Sequence, residues 1–192
     1  MELLIKQENT LREIWEILMI EFQNTFLANS HPFRFVVLAS ASNSAVNSRW
    51  VVFRKYTDSG SFFIYTDARS DKVAEYGENN LVSLLFYHDR KKLQVRVNGK
   101  VIIHHKNELT RTYWPEVKGS TDQLYTTEKA PGTPIKNKEE AYQWSSNMED
   151  ENFMILEIIP SSIEALQLNA DKHIRAAFSA NDLGWDSTFL VP

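Results

Sequence analysis

The chain has 192 residues, 43% of them hydrophobic and 12% aromatic, and it carries a formal net charge of -4. This size and composition suit one domain with a substantial core. The mildly acidic balance, with a pI near 5.8, argues against a general nucleic-acid binder. The sequence contains no cysteine, which excludes disulfides, thiolate metal sites and a cysteine nucleophile.

Targeting and membrane signals are not predicted. The first eight residues lack the basic lead and sustained apolar core of a secretory signal. No run of about 18 consecutive apolar residues occurs, which is the length that spans a bilayer. We therefore expect a cytoplasmic protein with no membrane partner.

An amphipathic helix is predicted over residues 10–28, since apolar side chains recur there at spacings of three and four. The members of this stripe are Leu11, Ile14, Trp15, Leu18, Met19, Phe22 and Phe26. Pro32 limits the helix because the residue before a proline disfavours helical geometry.

Short segments rich in valine, isoleucine, phenylalanine and tyrosine predict a mainly β protein. The predicted strands are 33–41, 49–56, 61–66, 81–88, 93–105, 153–159 and 163–168, with 173–178 as a further candidate. Residues 33–105 would form the core of a barrel, and residues 153–178 would close it. Between them, residues 107–149 predict helices over 107–115 and 138–148, joined by a long loop over 118–137 that is functional or mobile. A small helix is predicted over 70–78, and we read residues 1–192 as a single domain.

Polar clusters interrupt the strand pattern between Ser48 and Gly99. Arg49 offers a planar fork of donors that matches phosphate oxygens. Lys72 and Ser70 stand at the predicted start of helix 70–78, where free N–H groups favour an anion and Ser70 can cap the helix. The alternatives are an arginine paired with a surface carboxylate and a solvated lysine beside an ordinary cap.

Other polar residues suit a polar ring. Tyr65 and Thr66 end a predicted strand, and Gln94 supplies both a donor and an acceptor, although a cross-strand pair is the alternative for Gln94. Arg54 lies five residues after Arg49, so strict alternation places it on the opposite face unless the strand twists or bulges.

Five segments in order resemble the pyridoxamine 5'-phosphate oxidase family: residues 48–54, 63–67, 70–72, 84–87 and 94–100. The resemblance implies a six-stranded antiparallel Greek-key split barrel that forms a homodimer and binds FMN at the subunit interface. It implies that the cofactor is held by Arg49, Trp50, Val51, Val52, Arg54, Tyr65, Thr66, Arg69, Ser70, Lys72 and Gln94. No metal site is expected, since the adjacent His104 and His105 point to opposite faces of a strand.

The chain departs from the family in two places. Asp71 stands where an arginine is common, and we hypothesise that Arg69 replaces its charge. Near the C-terminus the family's Arg-x-His substrate motif is reversed, which leaves His173 and Arg175 as candidate substrate contacts or as ordinary polar residues of a terminal strand. The positions of a second arginine and a tryptophan hold Ala177 and Leu166. This pattern favours a related subgroup over the vitamin B6 enzyme itself.

Three functions stay open at this point. The first is an FMN-dependent oxidoreductase with an unassigned small-molecule substrate, and the second is a flavin-binding or flavin-sensing protein without turnover. The third is haem binding on the same barrel, with iron ligated by one of four histidines. These are His88, His104, His105 and His173.

Overall fold

A computed structural model describes residues 3–28, 30–42, 45–145, 149–170 and 172–192, and its strands form one antiparallel sheet. The strands are β1 (Phe35–Ala41), β2 (Val46–Tyr56), β3 (Phe62–Asp67), β4 (Leu81–His88), β5 (Leu93–His105), β6 (Phe153–Gln167), β7 (Ile174–Asn181) and β8 (Gly184–Leu190). Their order is β3-β2-β1-β4-β5-β6-β7-β8, and β3 also pairs with β6. The first six strands therefore close into a barrel. Because β4, β1, β2 and β3 lie side by side in that order, the barrel contains a Greek key, as predicted.

Three α-helices surround the barrel: α1 (Leu11–Asn24), α2 (Asp71–Glu78) and α3 (Glu108–Val117). A capping box between Thr10 and Glu13 begins α1. Its buried face carries Phe22, whose ring lies 4.9 Å from that of Phe62 and 5.3 Å from that of Phe86. This face of α1 thus packs into the barrel core. The helix ends at Asn24, so the predicted end at residue 28 was too late. Within the described ranges, no helix is both long and apolar enough to cross a bilayer.

Strand β6 corrects the prediction of two separate strands over 153–159 and 163–168. It runs unbroken for 15 residues, pairing first with β3 and then with β7 along one edge. Pro160 lies where the partner changes, between the last β3 pair and the first β7 pair, so its missing N–H breaks no ladder there. On the other edge Gly99 lies opposite Pro160, next to a register shift at which Ser161 is the extra residue of β6.

The remaining corrections concern element ends and the C-terminus. Pro32–Arg34 forms a 3₁₀ turn, so the first strand begins two residues later than predicted, whereas β2 begins earlier, at Val46. The predicted helix 138–148 is only a 3₁₀ turn over Lys138–Ala141, and residues 146–148 lie outside the described ranges. The loop 118–137 contains a 3₁₀ turn at Asp122–Leu124. Strand β8, which was not predicted, forms a hairpin with β7.

Candidate cofactor site

Arg49 lies on β2 opposite Leu38 of β1, whose side chain is fully buried in the barrel core. Its guanidinium reaches back to β1 and across to α2. One terminal nitrogen donates to Ser40 Oγ at 2.6 Å, and the other lies 3.2 Å from Glu75 Oε2. The side chains of Arg49 and Glu75 are only 24% and 13% exposed, so solvent screens this ion pair less than a surface pair.

Glu75 receives two further hydrogen bonds besides those from Arg49. Asn47 Nδ2 donates to it at 2.9 Å, and the Ser40 hydroxyl donates to its other oxygen. Burial opposes ionisation, but these donors and the charge of Arg49 together lower the pKa of Glu75. The carboxylate is therefore held ionised beside the guanidinium.

Lys72 is the second residue of α2, and its ammonium donates to Thr66 Oγ1 at 2.9 Å. Burial lowers its pKa, and the nearby positive charge of Arg49 lowers it further. The structure thus brings two predicted cofactor residues, Arg49 and Lys72, within electrostatic range of each other at the start of a helix. That position favours anions because free backbone N–H groups point out of the first turn.

A cavity of about 480 Å³, here called the anion cavity, opens between β2, α2 and the long loop. It is lined by Asn47, Arg49, Ser70, Asp71, Lys72, Glu75, Pro131 and Gly132. Two cations and two carboxylates contribute formal charges that sum to zero. Ser70 stands at the N-cap of α2 without capping it through its side chain, because its hydroxyl donates to the carbonyl of Asp67 at 2.5 Å. Ser70 is thus the N-cap residue as predicted, but its side chain makes no capping hydrogen bond.

Tyr76 carries a buried hydroxyl with no hydrogen-bond partner among the described residues. Burial raises the pKa of Tyr76 to about 12, and the charges of Arg49 and Glu75 both act on it. The ring of Tyr76 packs in the barrel core, and its hydroxyl is not among the groups that line the anion cavity. Arg49, Lys72 and Ser70 do line the cavity, and their cationic and hydroxyl donors fit a phosphate group.

Arg69 points away from the anion cavity. Its guanidinium forms a 2.7 Å ion pair with the buried Asp67 and donates a hydrogen bond to the carbonyl of Thr127 at 2.9 Å. The hydrogen bond to Asp67 raises the pKa of Arg69. Arg69 therefore fastens the long loop to the end of β3, and its charge is already balanced, so its predicted role in replacing the charge missing at Asp71 stays a prediction.

Arg54 stands where the register of β2 and β3 shifts, so the bulge that a shared ligand would require is present. The guanidinium nevertheless lies over the ring of Tyr65, 5.6 Å from its centroid. Tyr65 in turn donates to Glu116 at 3.5 Å, and burial raises its pKa. These side chains belong to the cluster between β3 and α3, on the other side of the sheet from Arg49.

A second group of predicted residues faces outward from the barrel. Trp50 is 67% exposed and lies opposite Val37, which lies opposite Leu85. Gln94 lies opposite Tyr87 on the same side of the sheet. We call this surface the outer face, and its exposed members are Phe35, Trp50, Leu85 and Tyr87, with Gln94 beside them. Of the two predicted valines, Val51 packs on the core and Val52 lies opposite Phe35.

The candidate substrate residues have partners within the chain. Arg175 on β7 donates to Glu164 of β6 at 2.8 Å, and Arg96 of β5 donates to the other oxygen of the same carboxylate at 2.9 Å. His173 accepts a hydrogen bond from the backbone N–H of Asn169 at 3.0 Å. Two arginines thus share one carboxylate across three strands of the sheet.

Sequence reasoning missed four residues of the anion cavity and its surroundings: Ser40, Asn47, Glu75 and Tyr76. Glu75 lies three residues after Lys72 on α2, and this spacing alone places both on one helix face. The contribution of Ser40 and Asn47 depends on the pairing of β1 with β2, which local sequence does not reveal.

The closed Greek-key barrel has the fold that the resemblance implied, and it places two of the predicted cofactor residues, Arg49 and Lys72, at one cavity. Residues 13–105 match the family model described as pyridoxamine 5'-phosphate oxidase, FMN-binding domain. The resemblance stated from the sequence is thereby confirmed over these residues, and the domain that they match is described as FMN-binding.

Relatives and solved structures agree with this assignment. The chain is 28% identical over 169 residues to the pyridoxine/pyridoxamine 5'-phosphate oxidase of Ehrlichia ruminantium, covering 82% of this chain and 86% of that one. It is 30% identical over 112 residues to the enzyme of the same name from Acinetobacter baumannii strain SDF, covering 58% and 51%.

Two crystal structures share the fold. A pyridoxamine 5'-phosphate oxidase-related, FMN binding protein from Nostoc punctiforme superposes with a TM-score of 0.71 at 18% identity, covering 97% of this chain and all of that one. PhzG from Burkholderia lata, in complex with tetrahydrophenazine-1-carboxylic acid, gives 0.76 at 17% identity, covering 93% and 92%.

Proposed function

We propose that this protein is an FMN-dependent oxidoreductase that acts on a small molecule in the cytoplasm. The observation that carries the proposal is the anion cavity, where Arg49 and Lys72 converge at the start of α2. Bound FMN would supply hydride and electron transfer, and the chain's own groups would hold the phosphate and orient the ring. Arg49, Lys72 and Ser70 are the residues we assign to the phosphate.

We further propose a homodimer with FMN bound at the interface. Trp50 and Gln94, two predicted cofactor residues, face away from the anion cavity of their own protomer. They share the outer face with exposed aromatic and aliphatic side chains, a grouping typical of interaction surfaces. A two-fold dimer would present the outer face of one protomer to its partner and could bring Gln94 to the partner's cofactor.

The second candidate function is flavin binding without turnover. It is favoured by the candidate substrate residues, because Arg175 is committed to Glu164 and His173 to the backbone of Asn169. A substrate anion would have to displace Glu164 to reach Arg175, and the charge-assisted bonds between them resist this displacement.

A staged experiment tests both functions. Absorbance and mass analysis of the cofactor released from purified protein should identify FMN, whereas a strong Soret band would indicate haem and overturn the proposal. Light scattering after size exclusion should give the mass of a dimer. Oxygen consumption with pyridoxamine 5'-phosphate, the substrate class named for the relatives, then separates an oxidase of this class from a flavin binder. FMN binding without turnover of this amine would favour the second candidate, and other amines would extend the test.

A further inference from the structure

A carboxylate of the chain itself already accepts hydrogen bonds from Arg49. One terminal nitrogen of the guanidinium lies 3.2 and 3.3 Å from the two oxygens of Glu75. Ser40 joins both groups, since it accepts from Arg49 and donates to Glu75. A carboxylate and a phosphate accept the same guanidinium hydrogen bonds, so both anions require the same donors.

The position of Glu75 also makes it a neighbour of the ligand. Glu75 and Arg49 both line the anion cavity, in which the formal charges of the lining side chains sum to zero. A phosphate monoester carries about two negative charges near neutral pH, so it enters a site whose cations are already balanced. The groups facing Glu75 are Arg49 on β2, the hydroxyl of Tyr76, and Lys72 and Asp71 on its own helix.

We propose that Glu75 is a specificity-determining residue that competes with the FMN phosphate for Arg49, so that cofactor binding requires the exchange of one anion for the other. The competition weakens the binding of FMN and leaves riboflavin, which has no phosphate, unaffected. It also selects against singly charged anions, which gain less than a phosphate from displacing a carboxylate that holds four hydrogen bonds.

Titration of the apoprotein with FMN and with riboflavin tests this inference, with Glu75→Gln as the principal variant. At pH 7 we expect Glu75→Gln to bind FMN about tenfold more tightly than the native chain, because the variant removes the negative charge that competes for Arg49. A tenfold change in affinity corresponds to about 1.4 kcal/mol in the free energy of binding. Riboflavin should bind both proteins equally. Weaker or unchanged FMN binding by the variant would overturn the inference and make Glu75 a support for Arg49.

Asp71→Asn is the matched control. Asp71 lines the same cavity and loses the same charge, but Arg49 donates its hydrogen bonds to Glu75. Direct competition predicts a clearly smaller effect for Asp71→Asn than for Glu75→Gln. Equal gains in FMN affinity for the two variants would show that only the net charge of the cavity matters, and would reject direct competition for Arg49.

The pH dependence gives an independent readout. Because its hydrogen bonds and the charge of Arg49 lower the pKa of Glu75, the ratio of native to Glu75→Gln dissociation constants should be constant near neutrality and shrink toward one in the acid range where Glu75 becomes protonated. The ratio cancels the ionisation of the phosphate itself. A ratio that stays constant through the acid range, in protein that circular dichroism shows to be folded, would contradict the inference.

A further variant tests the inference without altering Glu75 or Arg49. Asn47→Ala removes one donor to Glu75 and keeps every charge, so it too should tighten FMN binding, by a smaller factor. The inference rests on the FMN site of the proposed function, and the two fail differently. Native protein that binds no FMN would refute the proposed function, whereas native protein that binds FMN no more weakly than Glu75→Gln would refute only the competition.

Discussion

The anion cavity and the outer face are built in opposite ways, although both carry predicted cofactor residues. In the anion cavity, Arg49 and Glu75 are largely shielded and form an ion pair, and Lys72 donates a hydrogen bond to Thr66. On the outer face, large apolar side chains such as Trp50 are exposed and Gln94 stands among them. The anion cavity is thus assembled within a single chain, whereas the exposed apolar side chains of the outer face are the basis for the proposed dimer.

The largest expected effect concerns the anion cavity. Replacing Arg49 by Gln and Lys72 by Met together should weaken FMN binding by about 1,000-fold, since each charge-assisted hydrogen bond contributes about 2 kcal/mol. Riboflavin affinity should change little. Fluorescence titration measures both ligands, and Arg12→Ala, an exposed arginine on α1, is the control. Equal losses of affinity for FMN and riboflavin would show that Arg49 and Lys72 do not bind the phosphate.

The next effect concerns the stability of the barrel, at the point where β5 and β6 pair beside Gly99. A Cβ on Gly99 would lie 2.2 Å from the backbone oxygen of Ile159, so Gly99→Ala forces the β5 and β6 backbones apart. We expect a loss of about 3 kcal/mol in the free energy of unfolding.

Gly77 in α2, where a Cβ meets nothing within 4 Å, provides the opposite case. Gly77→Ala should stabilise the protein by about 0.5 to 1 kcal/mol. Urea unfolding measures both variants, and a neutral Gly99→Ala would show that the two strands separate without cost.

A charge on the outer face should separate the protomers. Leu85→Asp is expected to raise the dissociation constant of the dimer at least about tenfold, because it buries an unpaired carboxylate in an apolar interface. Leu183→Asp, in the fully exposed turn between β7 and β8, is the matched control. Sedimentation at several protein concentrations distinguishes them. A native protein that is already monomeric would leave the outer face without its proposed partner.

The smallest expected effect lies at the far end of β4. Burial lowers the pKa of His88 below 6.5, so the unfolded chain binds a proton more readily than the folded one. Stability is therefore greatest above pH 6.5 and falls as the pH drops through that value. His88→Gln should lose this part of the dependence, as thermal unfolding between pH 5 and 8 would reveal. An identical dependence in the variant would assign it to other groups.

The difference between local motifs and tertiary packing explains which cofactor residues the sequence could predict. Arg49 and Lys72 stand in short local motifs, and the structure brings them together as expected. Arg54 was predicted to need a bulge, and the bulge exists, yet the side chain stacks on Tyr65 because an aromatic cluster lies on that side of β2. Such competition between two available partners depends on tertiary packing, which no local pattern reports.

Two further errors have specific physical causes. The predicted break between residues 159 and 163 contains Pro160, but Pro160 lies where β6 changes partner and no N–H is needed. Strand β8 escaped prediction because Gly184, Asp186 and Ser187 give it a polar, turn-like composition, and it forms only by pairing with β7. The role of Glu75 was hidden for a related reason, since its donors Ser40 and Asn47 come from paired strands.

Strand β6 has a consequence for how the molecule opens. It has a neighbour along both edges for most of its length, with β5 on one side and β3 followed by β7 on the other. Its amide hydrogens should therefore exchange with solvent only when the whole barrel unfolds. The β7–β8 hairpin pairs with the sheet along a single edge of β6 and packs on Trp15 of α1 through Phe178 and Trp185. We expect it to detach at lower free energy than the barrel unfolds, and to carry Arg175 away from Glu164. The chain would then pass through a partly open form in which the phosphate site is still intact.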